Sequence, residues 1–99
     1  MTVRLKSSAL LEWQVAARWY EGRAPGTGER LIQAVEAALK QVGRVPEAAP
    51  VWKLGLPYRR QTVRGFPFVV FFRVAGEDQV VLAIAHTRRK PGYWLKRSR

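Results

Sequence analysis

The 99-residue chain has no cysteine, which excludes disulfide bonds and cysteine-based zinc sites. Its apolar runs are far shorter than the roughly 20 residues that a membrane-spanning helix needs. The first residues also lack the apolar core of a signal peptide. Acidic residues are few, since seven Asp and Glu stand against 18 Lys and Arg. We therefore expect a cytoplasmic protein that makes no membrane contact and folds without disulfide bonds.

The formal net charge of +11 is the most informative bulk property of the sequence. A charge this high on a small protein favours an acidic partner, which could be nucleic acid, the ribosome or an acidic protein. The cations are clustered along the chain, so a role in solubility alone is the weaker interpretation. The length predicts a single domain spanning residues 1–99.

The first half of the sequence predicts a short strand and two helices. Residues 3–6 alternate apolar and basic side chains, as edge strands do. Ser7 or Ser8 is a candidate N-cap for the first helix, Glu12 is placed to suit its dipole, and Gly22 ends it. The side chains expected to form its buried stripe are Ala9, Trp13, Ala16 and Tyr20.

The second helix is expected to run from Thr27 or Gly28 to Gly43. Its apolar stripe consists of Leu31, Val35, Ala38, Leu39 and Val42. Because only a short loop separates the two helices, they should form an antiparallel hairpin. Residues 44–56 then form a connector in which Trp52 is the expected anchor to the core.

Alternating patterns in the second half predict strands. Residues 58–64 form the first, and residues 68–74 form a central strand, because both of its faces are largely apolar. The third strand covers residues 80–86, with Val80, Leu82, Ile84 and His86 on one face. A basic tail or short helix follows. The predicted fold is α+β: an N-terminal strand, a helical hairpin and a three-stranded antiparallel meander that completes one mostly antiparallel sheet.

Several local motifs occur in an order that resembles the RelE/ParE superfamily of bacterial toxins. Their residues are Trp19-Tyr20, Pro46, Arg59-Arg60, Phe66-Pro67-Phe68 and the C-terminal pattern His86-x-Arg88-Arg89-x-Pro91-x-Tyr93-Trp94-x-x-Arg97. The resemblance implies the toxin of a type II toxin–antitoxin, plasmid-stabilisation type system. It also implies neutralisation by a cognate acidic antitoxin, with a homodimer or a heterotetramer with the antitoxin as the expected assembly.

The resemblance implies two alternative activities. ParE-like members bind and inhibit DNA gyrase, whereas RelE-like members cut mRNA on the ribosome. We favour the ParE-like activity, because only Lys53 matches the lysines that the mRNA-cutting members use. The functional aromatic of those members could also correspond to Tyr93 or to Trp94. A third alternative is a non-toxic, basic nucleic-acid-binding module.

The site residues follow from these alternatives. If the protein is a metal-free nuclease, the expected catalytic residues are His86, Arg88 and Tyr93, and no cofactor or metal is needed. His86 could equally be a strand-end histidine held by a hydrogen bond. The residues expected to bind phosphate or target are Arg59, Arg60, Arg89, Lys90 and Arg97.

Two further expectations concern exposed and docked side chains. Trp19 lies off the apolar stripe of the first helix, so we assign it to antitoxin binding. In the tail, Tyr93, Trp94 and Leu95 are expected to dock on the sheet, whereas Lys96, Arg97 and Arg99 should remain in water.

Overall fold

The structure, a computed structural model, describes residues 2–98. Its elements are β1 (Val3–Leu5), α1 (Ser7–Arg23), α2 (Thr27–Arg44), a 3-10 turn (Pro46–Ala48), β2 (Tyr58–Thr62), β3 (Phe68–Ala75), β4 (Asp78–His86) and a C-terminal 3-10 helix (Leu95–Ser98). The order matches the prediction, although β2 ends at Thr62, two residues before the predicted end. None of the helices within the described range combines the length and apolar composition that crossing a bilayer requires.

The four strands form one sheet in the order β1-β4-β3-β2. β2, β3 and β4 pair antiparallel as a meander, and β1 pairs parallel to β4. The parallel pairing is possible because the helical hairpin and the meander separate these two strands along the chain. The α+β prediction is confirmed, as are the edge position of β1 and the central position of β3.

Both faces of the sheet are covered. The helices pack on one face through Leu31, Val35 and Val42, against Val70 and Phe72 of the sheet. On the opposite face, the alternate side chains of β3 pack with residues of the connector and the tail. The centre of this cluster is the fully buried Trp94. The members of this second cluster are Tyr58, Val69, Phe71, Leu82, Ala83, Ala85 and Trp94, with Trp52 and Tyr93 packed against them. Two-sided burial explains why β3 and β4 are almost continuously apolar.

A β-bulge changes which face of the sheet the side chains of β4 occupy. Phe71 pairs with Ala83 and Phe72 pairs with Val81, which leaves Leu82 as the extra residue. Leu82 consequently belongs to the second cluster, whereas Ile84 packs towards the helices. The prediction that Leu82 and Ile84 share one face is wrong, because strict alternation does not hold across a bulge.

The helical hairpin is held by a carboxylate and a close backbone approach. Glu21 of α1 accepts hydrogen bonds from the backbone N–H groups of Gly26 and Gly28, at 3.0–3.1 Å, and so supplies the first turn of α2 with acceptors. A Cβ at position 28 would lie 2.6 Å from the carbonyl oxygen of Ala17, so only glycine fits there.

The predicted N-cap of α1 is wrong. The helix begins at Ser7, Lys6 occupies the N-cap position, and no side chain caps it. Glu12 lies beyond the first turn, so it does not serve the helix dipole as predicted. Its carboxylate instead contacts the sheet and the tail.

Candidate functional site

The carboxylate of Glu12 connects three parts of the chain. It accepts hydrogen bonds from the backbone N–H of Ile84 at 3.1 Å, the hydroxyl of Tyr93 at 2.5 Å and Nη1 of Arg97 at 3.0 Å. The side chain of Glu12 is only 16% exposed and that of Arg97 only 22%. This ion pair is therefore screened far less than a surface pair would be.

The position of this network follows from the short length of β1. Pairing along the outer edge of β4 stops where the N–H of Lys6 binds the carbonyl of Val81. Beyond that point the edge groups need other partners, because a buried backbone group without one is costly. Glu12 satisfies the N–H of Ile84, and Arg97 donates to the carbonyl of Leu82 at 3.2 Å. Side chains of α1 and of the tail thus provide hydrogen-bond partners for the part of the β4 edge that β1 does not cover.

Tyr93 is held as a neutral hydrogen-bond donor. Burial, followed by the hydrogen bond and negative charge of Glu12, raises its pKa well above the ordinary tyrosine value. The guanidinium carbon of Arg89 lies 3.8 Å from the ring centroid, and that of Arg97 lies 5.1 Å away. The ring is therefore fixed between two cations, while its hydroxyl proton is directed to a carboxylate.

His86 lies at the end of β4. Its Nδ1 accepts a hydrogen bond from the backbone N–H of Arg88 at 3.1 Å, and its ring packs edge-on against Phe68. A neutral imidazole with Nδ1 as acceptor carries its proton on Nε2. This is the arrangement expected for a strand-end histidine held in place, and a catalytic role for His86 stays a prediction.

An apolar groove runs between α1 and the end of the sheet. We call this cavity of about 340 Å³ the α1 groove; its lining comprises Glu12, Val15, Ala16, Trp19, Tyr20, Phe68, Ile84, His86, Arg89 and Tyr93. Val15 and Trp19 remain 55% and 54% exposed. The guanidinium of Arg23 lies 4.4 Å from the ring centroid of Trp19. The prediction that Trp19 lies off the core stripe is confirmed.

A second cavity, of about 200 Å³, opens on the sheet face that the helices do not cover. We call it the basic cavity; it is lined by Trp52, Arg60, Val69, Phe71, Ala85, His86, Thr87, Arg89, Lys90, Pro91, Tyr93 and Trp94. It brings together three of the residues assigned to phosphate or target binding, namely Arg60, Arg89 and Lys90, with His86 and Tyr93.

The remaining cations assigned by sequence lie elsewhere. Arg88 is not part of the lining of either cavity. Nη1 of Arg59 donates to the carbonyls of Ala49, at 2.6 Å, and Glu47, at 3.4 Å, which ties the connector to β2. The prediction that Arg97 remains in water is wrong, because its guanidinium is bound to Glu12.

The tail docks largely as expected. Trp94 is fully buried, whereas Leu95 remains 38% exposed. Arg99, whose exposure the sequence predicts, lies outside the described residues.

Glu12 is the functional-site residue that sequence reasoning missed. The sequence favours a helix-dipole role for Glu12, yet this residue lies three positions after Ala9 and four before Ala16. That spacing places a carboxylate on the core-facing side of an amphipathic helix, where it requires a partner. Within residues 2–98 no group of three or more His, Asp or Glu side chains is arranged to hold a metal ion.

Comparisons with known proteins complete the description. A family model described as the ParE toxin of type II toxin–antitoxin system, parDE, matches residues 3–91. A solved structure titled "Chromosomal ParDE TA system from P. aeruginosa" contains a chain that superposes with a TM-score of 0.77. That chain is 20% identical, and the match covers 87% of this chain and 95% of the other, which establishes similarity of fold. A search of curated proteins gave no match.

Proposed function

We propose a function for this chain on the basis of its family. The chain belongs to the ParE toxin family of type II toxin–antitoxin systems. It is the toxin of such a system, and an antitoxin is its partner. Our finer proposal is that it arrests growth by binding DNA gyrase and inhibiting it. Residues 1–99 would act as one toxin domain in the cytoplasm.

The observation that carries this proposal is the hydrogen bond from Tyr93 to Glu12. Cleavage of RNA without a metal needs groups that exchange protons near neutral pH. The raised pKa of Tyr93, whose hydroxyl donates a hydrogen bond to Glu12, makes the phenol unsuited to this exchange. Arg88, the third expected catalytic residue, is outside the lining of both cavities that His86 and Tyr93 share. This arrangement supports binding rather than cleavage.

Gyrase inhibition is tested with purified toxin in a supercoiling assay, together with mapping of new mRNA 5′ ends after induction in a bacterial host. We expect supercoiling to be inhibited and growth to stop without new mRNA ends. Cuts in phase with the reading frame would establish the RelE-like alternative and make His86, Arg88 and Tyr93 its candidate catalysts. Tight, salt-dependent binding to arbitrary duplex DNA without growth arrest would indicate the non-toxic binding module.

The α1 groove is our proposed docking site for the antitoxin. Its exposed Val15 and Trp19 offer an apolar surface, and Arg23 and Arg89 place positive charge beside it. A segment that combines apolar side chains with carboxylates complements both features. This chemistry fits an acidic antitoxin, and it extends the sequence-based assignment of Trp19 to the surrounding groove.

Replacement of Trp19 tests this docking site. Trp19→Ala should weaken antitoxin binding at least tenfold, because buried aromatic anchors dominate interface energies. Leu54→Ala is the matched control, since Leu54 is 97% exposed and belongs to the connector rather than the groove. Affinity is measured by calorimetry with the cognate antitoxin. Equal affinities for the Trp19→Ala variant and the unchanged protein would remove the α1 groove from the proposal.

A further inference from the structure

We infer that the basic cavity is a binding site for a phosphate group. The inference concerns the toxin alone and does not depend on gyrase being its target. It goes beyond the family assignment, because neither the antitoxin nor growth arrest requires such a site.

The lining of the cavity includes several cations and hydrogen-bond donors beside its apolar residues. Arg60, Arg89 and Lys90 supply positive charge, and Thr87 supplies a hydroxyl. His86 adds a further donor, because its Nδ1 already accepts from the backbone and leaves Nε2–H available. None of the twelve lining residues, all within the described range, is acidic. Such a lining favours an anion whose atoms only accept hydrogen bonds, as those of a phosphodiester do.

One of these cations is already fixed in place. The guanidinium of Arg89 lies 3.8 Å from the ring centroid of Tyr93, and that ring is held by Glu12. A cation that is ordered before binding loses less side-chain entropy when an anion arrives. The hydrogen bond that holds the Tyr93 ring therefore also helps to position Arg89 for anion binding.

Trp94 also lines the cavity and provides a buried group that can report on binding there. Trp94 is fully buried, and among the described residues its indole Nε1–H has no hydrogen-bond partner. The indole is stacked 4.8 Å from Phe71 and lies 4.9 Å from Trp52, measured between ring centroids, so it cannot readily turn to find one. Because Nε1 is sealed from solvent, an anion in the cavity would change the electrostatic surroundings of this N–H without bonding to it directly.

The size of the cavity restricts the ligand. Sites for whole cofactors or drug-sized molecules measure roughly 300–1,000 Å³. The basic cavity, at about 200 Å³, is smaller and matches a single phosphate group with its immediate substituents. The phosphate could be free, or it could belong to the backbone of a nucleic-acid strand, and the experiment separates these two sources.

Nuclear magnetic resonance of the ¹⁵N-labelled, full-length protein tests the site directly. One titration uses inorganic phosphate, and another uses a single-stranded dT oligonucleotide of about eight nucleotides, a length typical of such sites. We expect a saturable shift of the Trp94 Nε1–H signal. The Trp13 indole is an internal control, because its N–H is also buried and unpartnered but lies outside the cavity. Much tighter oligonucleotide binding identifies a nucleic-acid backbone, and equal binding identifies free phosphate.

The exposed residue Arg60 provides the test by substitution. Arg60→Gln should weaken binding about fivefold, the loss of one charge-assisted contact. It should also lower the salt dependence of oligonucleotide binding by roughly 0.7 in log–log slope. Arg18→Gln removes the same charge from an exposed site on α1, outside both cavities, and should leave binding unchanged.

Two results would overturn the inference. The first is an unchanged Trp94 signal at tens of millimolar phosphate and at saturating oligonucleotide. The second is an equal loss of affinity in the Arg18→Gln and Arg60→Gln variants. That result would show that affinity depends on the net charge of the protein rather than on the basic cavity. Either result would leave gyrase inhibition untouched, because the supercoiling assay measures it separately.

Discussion

Glu12 joins residues that are far apart in the sequence, namely Ile84, Tyr93 and Arg97. It does so in a chain where acidic residues are scarce and cations are abundant. A carboxylate placed among cations would normally be solvated, but this one is mostly buried and makes charge-assisted bonds. At the scale of single residues, stability and site geometry therefore depend on the same side chain.

Substitution of this carboxylate should be costly. Glu12→Gln removes the ion pair with Arg97 and leaves the guanidinium partly buried without a counter-charge, so we expect a loss of about 1–3 kcal/mol in the free energy of unfolding. Chemical denaturation measures it. Glu77→Gln, in an exposed turn, serves as the control and should change stability by less than about 0.5 kcal/mol. Similar stabilities of the two variants would contradict a structural role for Glu12.

The raised pKa of Tyr93 predicts that the protein becomes less stable at alkaline pH. Its pKa is higher in the folded state than the ordinary value of about 10, so folding favours the neutral form. The resulting stabilisation is complete below about pH 10 and is lost as pH rises further, because the unfolded chain then releases this proton more readily. Denaturant unfolding between pH 8 and 11 should show a steeper loss in the unmodified protein than in Tyr93→Phe. Parallel curves would refute this prediction.

At the scale of elements, the C-terminal segment is part of the core. Trp94 is fully buried against Trp52, Tyr58 and Phe71, and Arg97 caps the edge of β4. The short 3-10 helix at the end of the chain is therefore stabilised by tertiary contacts, since helices of this length have little stability of their own.

Truncation and point substitution test the role of this segment. Trp94→Ala should destabilise the protein by about 3–5 kcal/mol, the usual cost of emptying a buried aromatic position. The exposed Lys96→Ala should change stability by less than about 0.5 kcal/mol. Deleting residues 91–99 should abolish both cooperative thermal unfolding and toxicity. A truncated chain with full toxicity would show that the segment is dispensable.

At the scale of the whole molecule, the net charge of +11 governs encounters with partners. Long-range attraction accelerates association with an acidic protein, and salt screens it within about 10 Å at 0.1 M. The charge does not determine the fold, but it sets how fast an antitoxin or a polyanion arrives.

Ionic strength should therefore act mainly on the association rate. Between low salt and about 0.5 M salt, we expect the association rate constant with the cognate antitoxin to fall at least tenfold, while the dissociation rate changes little. Stopped-flow fluorescence, which the exposed Trp19 makes practicable, measures both rates. An association rate independent of salt would indicate that apolar contact alone controls the encounter.

The amino-acid pattern alone was sufficient to predict the order of the elements, the central position of β3 and the apolar character of both its faces. These features follow from local periodicity and composition, which one stretch of chain encodes without reference to the rest. The family resemblance was also carried by local motifs, and the family model confirms it over residues 3–91.

Contacts between residues distant in the sequence became evident only from the folded chain. Glu12 and Arg97 are 85 positions apart, so no local pattern could reveal that their charges pair. The bulge at Leu82 reversed the predicted facing along β4. The basic cavity unites Arg60 of β2 with Arg89 and Lys90 after β4, while Arg59 and Arg97, which the sequence grouped with them, are bound elsewhere. The role of a cation depends on the carboxylate or carbonyl that it contacts. Local sequence does not reveal this partner, because folding brings together groups that are far apart in the chain.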